Sequence, residues 1–175
     1  MSGDVVQRLL AELPKHYTNV KFGGYEEPLL YDSFFLMADH FLRCGLGVHL
    51  TTNGTLISEN LQPLLEHLST LYVSIDAASE ETYGEIRRGN YEELLRNVVE
   101  VASSFRGKAM GVSFIREPAN INEEESFLKF WLPRVDLVIY YALLKFSSQS
   151  YIIDQPFLPM PNERIVCSSP WLETY

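Results

Sequence analysis

Thr70-Leu71-Tyr72-Val73-Ser74-Ile75-Asp76 decides the fold. A strand turns successive side chains to opposite faces, so this run gives one list of Leu71, Val73 and Ile75 and another of Tyr72, Ser74 and Asp76. The split recurs over 47–53, as Val48, Leu50 and Thr52 against His49, Thr51 and Asn53, and over 109–115, as Met110, Val112 and Phe114 against Gly111, Ser113 and Ile115. A sheet between two helix layers is apolar on both faces, and a closed eight-stranded barrel fills its inside with Val, Ile and Leu. Strands with one polar or small face predict instead an open, curved part-barrel, helices outside and a wet cavity inside. Polar ligand chemistry is then expected at the strands' carboxyl ends.

Outward from these runs, short β-type segments alternate with amphipathic ones. The pattern predicts helix 3–13, strand 19–23, helix 32–45, strand 47–52, helix 57–68, strand 70–76, helices 79–87 and 91–105, strand 109–115, helix 122–132 and strand 135–140. Val5, Val6, Leu9, Leu10 and Leu13 share one helical face, as do Leu94, Val98, Val101 and Ala102. Asp32, Ser58 and Asn90 precede periodic segments, and Asn90 and Asn122 each have a Glu three residues later, the spacing of a capping box. Strands separated by helices imply a parallel sheet, because parallel neighbours need crossover connections. From Leu143 the periodicity stops, and Pro156, Pro159 and Pro161 mark a connector. The division expected is a part-barrel over 1–145 and a connector or the start of an extension over 146–175.

Composition narrows the classes. Over 175 residues, 46% hydrophobic content is enough for a core, which argues against a disordered chain. A formal charge of -9 without a basic stripe repels phosphate backbones and anionic lipids, so neither nucleic acid nor a membrane is expected as a partner. Met1-Ser2-Gly3-Asp4 opens no secretory signal, and the apolar run Val135 to Leu144 is too short to span a bilayer. Cys44 and Cys167, the two cysteines, form no disulfide framework and fit a reducing cytoplasmic setting.

Three motifs fall at strand ends, and a fourth follows one helix later. In Phe22-Gly23-Gly24-Tyr25-Glu26-Glu27-Pro28 the glycines allow close backbone approach to a ligand and a carboxylate accepts from an ammonium, although a plain β-α turn reads the same way. Asn53-Gly54 offers an amide to a ligand oxygen or is an ordinary turn pair. Ser74 and Asp76 share the inner face, and Arg87, one helix later, is placed either to grip a carboxylate or to end a solvated helix.

Taken in order, the glycine turn ending Glu27-Pro28-Leu29-Leu30, then Thr52-Asn53-Gly54, Ser74-Ile75-Asp76, Tyr83-x-x-Ile86-Arg87-x-Gly89 and Asn122-x-x-Glu125 resemble the radical S-adenosylmethionine (radical SAM) superfamily. Cys167-Ser168-Ser169-Pro170-Trp171 is similar to the opening of the auxiliary-cluster extension called SPASM. The resemblance implies a (β/α)6 part-barrel in which a 4Fe-4S cluster passes an electron to SAM, releasing a 5′-deoxyadenosyl radical that takes a hydrogen atom from a peptide or small-molecule substrate. It implies Gly24 and Glu27 at the methionine ammonium, Ser74 and Arg87 at its carboxylate, and Asp76 or Asn53 near the ribose, with Gly23 also among the cofactor-binding residues. Cys167 is implied as an auxiliary-cluster ligand.

Two features depart from that pattern. The family's C-x3-C-x2-C lies after its first barrel strand, and here no cysteine precedes Cys44, which reads as a small buried hydrophobe. Glu26 stands where the family usually has Gly, and an added carboxylate there narrows the pocket and repels a methionine carboxylate. The chain is therefore expected to be a piece of a radical SAM enzyme lacking the first strand, carrying no cluster as given and binding SAM weakly, with a missing segment or partner chain to complete it. The alternative is a non-catalytic βα module that binds a partner or small ligand.

Overall fold

The computed structural model describes residues 3–24, 26–57, 61–142, 145–147 and 150–152. They fall into two compact units, Met1–Leu143 and Leu144–Tyr175. In the first, β1 (Asn19–Phe22), β2 (Gly47–Thr52), β3 (Thr70–Ser74), β4 (Ala109–Arg116) and β5 (Leu137–Ala142) form a parallel sheet whose spatial order equals the chain order. Five consecutive parallel strands without a reversal are an arc of a barrel, since a doubly wound sheet reverses at its switch point. Among the described residues the arc is open: β1 pairs with β2 alone and β5 with β4 alone.

The faces divide as the alternation requires. Val48, Leu50, Leu71, Val73, Val112 and Phe114 are fully buried, whereas His49, Thr51, Tyr72 and Ser74 are half-buried on the other face. The crossovers are α2 (Phe34–Arg43), α3 (Gln62–Leu65), α4 (Glu80–Ile86) with α5 (Tyr91–Ser104), and α6 (Glu124–Trp131), and α1 (Gly3–His16) packs beside α2. Their apolar stripes meet the strands in one core, in which Phe34 and Phe41 of α2, Val98 of α5 and Phe127 and Trp131 of α6 are buried. On the inner face Tyr72 lies opposite Gly111 and Ser74 opposite Ser113. A Cβ on Gly111 would stand 2.8 Å from the Tyr72 ring, so the glycine lets that ring lie across β4.

Some bounds differ from the sequence reading, each for a local reason. The helix expected over 57–68 is a single turn among the described residues, with Ser58 outside them; residue 63 is a proline, which fits a helix's first turn and so marks a start there and not at 57. β3 stops at Ser74 because the N–H groups of Ile75 and Asp76 share the Ser113 carbonyl at 3.2 and 3.3 Å and Asp76 turns left-handed, at φ 64°. Asn90 caps α5 through the Glu93 N–H, whereas Asn122 sits inside a 3-10 turn, Ile121–Glu123, that leads into α6. In the second unit β6 (Lys145–Ser147) pairs antiparallel with β7 (Ser150–Ile152), strands too short to show a period in the sequence. Cys167 lies outside the described residues. No helix among them is long and apolar enough to cross a membrane.

Candidate functional site

The carboxyl ends of β1, β2 and β3 bring together Gly23, Gly24, Glu27, Asn53, Ser74 and Asp76 from the strand-end motifs, and the turn after α4 adds Arg87. Gly23 (φ 148°) and Gly24 (φ 131°) hold conformations that side chains resist, and a Cβ on Gly23 would come within 2.8 Å of Thr51. Pro28 keeps Glu27 extended, and its carboxylate turns inward. Oε1 accepts from the Leu29 N–H (3.1 Å) and the Thr52 hydroxyl (2.7 Å), and Oε2 from the Asn53 N–H (2.7 Å). Glu27 thus ties the first βα loop to the second.

Asn53 spends its carbonyl on the Thr55 N–H and hydroxyl, at 2.9 and 2.7 Å, as an Asx turn. Its backbone is held by Glu27 and its amide nitrogen is not part of that turn. Ser74 shares a hydrogen bond with Ser113 at 3.1 Å on the inner face. Glu26 accepts from the Tyr31 hydroxyl at 2.6 Å, which raises that phenol's pKa first through the hydrogen bond and then through the charge. Glu26 also lines a cleft of about 440 Å³ along the open side of β1, with Phe22, Phe34 and Met37 among its walls. That cleft does not include Ser74, Asp76 or Arg87.

Asp76 and Arg87 form an ion pair through Oδ2 and Nη2. The Asp76 side chain is 2% exposed, and its Oδ1 accepts from the Ile115 N–H at 2.7 Å. Arg87 emerges where it does because of Tyr83. Tyr83 is buried, packs its ring on Tyr91 at 5.3 Å, and accepts from the N–H groups of both Arg87 and Arg88. Burial first, and then the Asp76 charge against the opposing Arg87, keeps the Tyr83 phenol high, while burial, Glu123 and Tyr83 push Tyr91 up to about 12. Both therefore remain neutral. Among the described residues Arg87 Nε is buried and has no acceptor, while the side chain as a whole is 29% exposed. A guanidinium that is partly exposed and held by a buried carboxylate suits an anionic oxygen from a ligand.

Two residues at this site escape the sequence reading. Asn120 is 0% exposed, donates to the carbonyls of Asp76 (2.8 Å) and Ile115 (2.7 Å), and accepts from the Glu117 N–H (2.7 Å). Glu123 accepts from the Ala78 N–H and from the Ser79 and Thr82 hydroxyls at the start of α4. Burial pulls its carboxyl upward, but those hydrogen bonds prevail and hold it below the usual range. The same Asn-x-x-Glu spacing that was read at 122–125 stands two residues earlier, at 120–123.

At the other end of the inner face, His49 is bridged by Thr70 (2.8 Å) and Asn19 (3.2 Å), and burial, then Lys108 and Lys21, lower its pKa. Cys44 is exposed, contrary to the buried role expected of it, because it caps the last turn of α2 on the amino-terminal side of β2. Its Sγ lies 3.6 Å from His40 Nε2. Among the described residues no group of three His, Cys, Asp or Glu side chains is placed to hold a metal ion.

The profile of the Radical SAM superfamily matches residues 1–123. Among solved structures, Streptococcus suis SuiB bound to S-adenosylmethionine aligns with a TM-score of 0.65 at 13% identity, over 83% of this chain and 35% of that one. TYW1 with a lysine-pyruvate adduct bound aligns at 0.58 and 15%, over 87% and 58%. Streptococcus suis SuiB bound to precursor peptide SuiA aligns at 0.57 and 15%, over 70% and 28%. This chain thus spans less than two thirds of each, and at such identities the likeness is one of fold. No curated protein matches by sequence.

Proposed function

The chain belongs to the radical SAM superfamily, and from that premise we propose that its part-barrel is the SAM-receiving wall of an oxidoreductase or maturase acting on a peptide or small molecule in the cytoplasm. The observation that carries this reading is the Arg87 guanidinium, held by the buried Asp76 carboxylate two residues after Ser74 and itself 29% exposed. A methionine carboxylate pairs with the exposed part of the Arg87 guanidinium, and the Ser74 hydroxyl is a second donor. Glu27 uses three acceptor positions inside the protein, which leaves one on Oε2 for the ammonium. Gly23 and Gly24 offer backbone without a side chain in the way, and the Asn53 amide reaches a ribose hydroxyl.

SAM beside a reduced four-iron cluster supplies homolytic chemistry, in which an electron enters the cofactor and a hydrogen atom leaves the substrate. A cluster needs cysteine thiolates, and the described residues do not supply a set of three. We therefore assign them to a segment that pairs with β1, in the same polypeptide or a partner. Among the described residues no strand lies on one side of β1, and the apolar cleft beside it gives such a segment a place to pack. SuiB's complexes with SAM and with a precursor peptide support the cofactor and the substrate class by analogy of fold.

Amide NMR of the chain titrated with SAM tests the reading. Shifts are expected at Gly23, Gly24, Asn53, Ser74 and Arg87. No shift at millimolar SAM, or shifts confined to other residues, would favour the second reading, a βα module that binds a partner without chemistry. That reading draws on Glu27 and Asp76, whose carboxylates are already engaged within the protein.

A further inference from the structure

We propose that Asp76 is a positioning residue: its carboxylate aims the Arg87 guanidinium, and Asn120 and Glu123 lock the segment from which both project. The proposal rests on the reading of Arg87 as the contact for the cofactor's carboxylate. It removes Asp76 from the ribose, where the family resemblance puts it. With 2% of its side chain exposed, Oδ1 on the Ile115 N–H and Oδ2 on Arg87, Asp76 has no free face for a hydroxyl.

The brace is built from both sides. Asn120 holds the Asp76 carbonyl and so fixes a backbone that already stands at φ 64°. Three residues on, Glu123 takes the Ala78 N–H and the Ser79 and Thr82 hydroxyls, so one short turn grips residues 76–82 at two points. Tyr83 then fixes the far end of α4 by accepting from Arg87 and Arg88. A long flexible side chain is thereby ordered before any ligand arrives, and the entropy of ordering it is not charged to binding. Asp76 also offsets the arginine's charge. The pair selects a carboxylate by presenting an oriented guanidinium, and not by a bare positive field.

The test reads the Arg87 Nε–H by proton-nitrogen NMR and compares SAM with 5′-methylthioadenosine, which carries the nucleoside without the aminocarboxylate. Asp76→Asn cannot serve both the Ile115 N–H and Arg87, since one of its two groups is a donor. The expected result is a displaced, exchange-broadened Nε–H, SAM binding weakened roughly tenfold and methylthioadenosine unaffected. Asp76→Asn combined with Arg87→Gln should bind SAM no worse than Arg87→Gln alone. An unmoved Nε–H, or equal weakening of both ligands as a ribose contact requires, overturns the proposal. Should Asp76→Asn fail to fold, Glu123→Gln loosens the same segment, and an unmoved Nε–H there is equally fatal. If the parent chain binds no SAM, the cofactor reading fails, while the Nε–H comparison still decides the positioning role.

Discussion

The junction of β1 with β2 and the junction of β3 with β4 use the same device, a carboxylate turned back into the sheet's carboxyl end, in different company. Glu27 accepts from neutral donors only, two backbone N–H groups and a hydroxyl, and remains half-buried. Asp76 is sealed, is paired with a cation, and is backed by the wholly buried Asn120. Water can replace part of what Glu27 does. It cannot reach Asp76, so a loss there leaves a charge and several polar groups without partners. The first junction is a strut and the second a keystone, which is fitting for an arc open at β1 and packed at its centre.

The largest effect should come from Asn120→Ala, which orphans the Asp76 and Ile115 carbonyls and the Glu117 N–H at once and should cost about 4 kcal/mol in urea unfolding. Asp76→Ala follows at about 3 kcal/mol, the range for breaking a buried pair from one side. Glu27→Gln turns one acceptor into a donor near the surface and should cost about 1–2 kcal/mol, with faster hydrogen exchange at Asn53. A Glu27→Gln loss as large as that of Asp76→Ala would break the comparison.

The smallest effect is acidic. His49 and Glu123 both have folded pKa values below their ordinary 6.5 and 4.5. The unfolded chain therefore takes up each proton first, so the stability is complete above those ordinary values and is lost as pH falls through the folded ones. Melting temperature should decline in two steps, the first absent in His49→Asn and the second in Glu123→Gln. A Glu123→Gln profile that keeps the second step would assign it to another carboxylate.

How much of this was legible depends on range. The arc could be read because alternation is local: Leu71, Val73 and Ile75 against Tyr72 and Ser74 is a property of seven consecutive residues. The brace could not be read in the same way. Glu27 finds Thr52 and Asn53 25 and 26 residues away, and Asp76 finds Ile115 39 residues away, so a sequence shows acids beside glycines and strands without their partners. Free carboxylates look like ligand groups. Asn120-x-x-Glu123 is hidden for another reason: the two residues precede the 3-10 turn and α6 but cap neither, and their side chains serve other elements. The one-turn α3 was over-read because its buried leucines, Leu61, Leu64, Leu65 and Leu68, keep a helical period even where the backbone does not continue as a helix.

Among the described residues two that are not glycine stand in the left-handed region, Asp76 at φ 64° and Arg88 at φ 57°, and they should look quite different in a scan of all substitutions. Asparagine, aspartate and glycine occupy that region most readily. At the exposed residue 88 all three should be tolerated, and glycine should be the best. At residue 76 the backbone admits the same three, but only aspartate offers two acceptors, one for Ile115 and one for Arg87. Conformation thus shortens the menu and hydrogen bonding reduces it to a single choice. Position 76 should carry more information per residue than most of the core around it, where Leu, Ile and Val trade places at little cost.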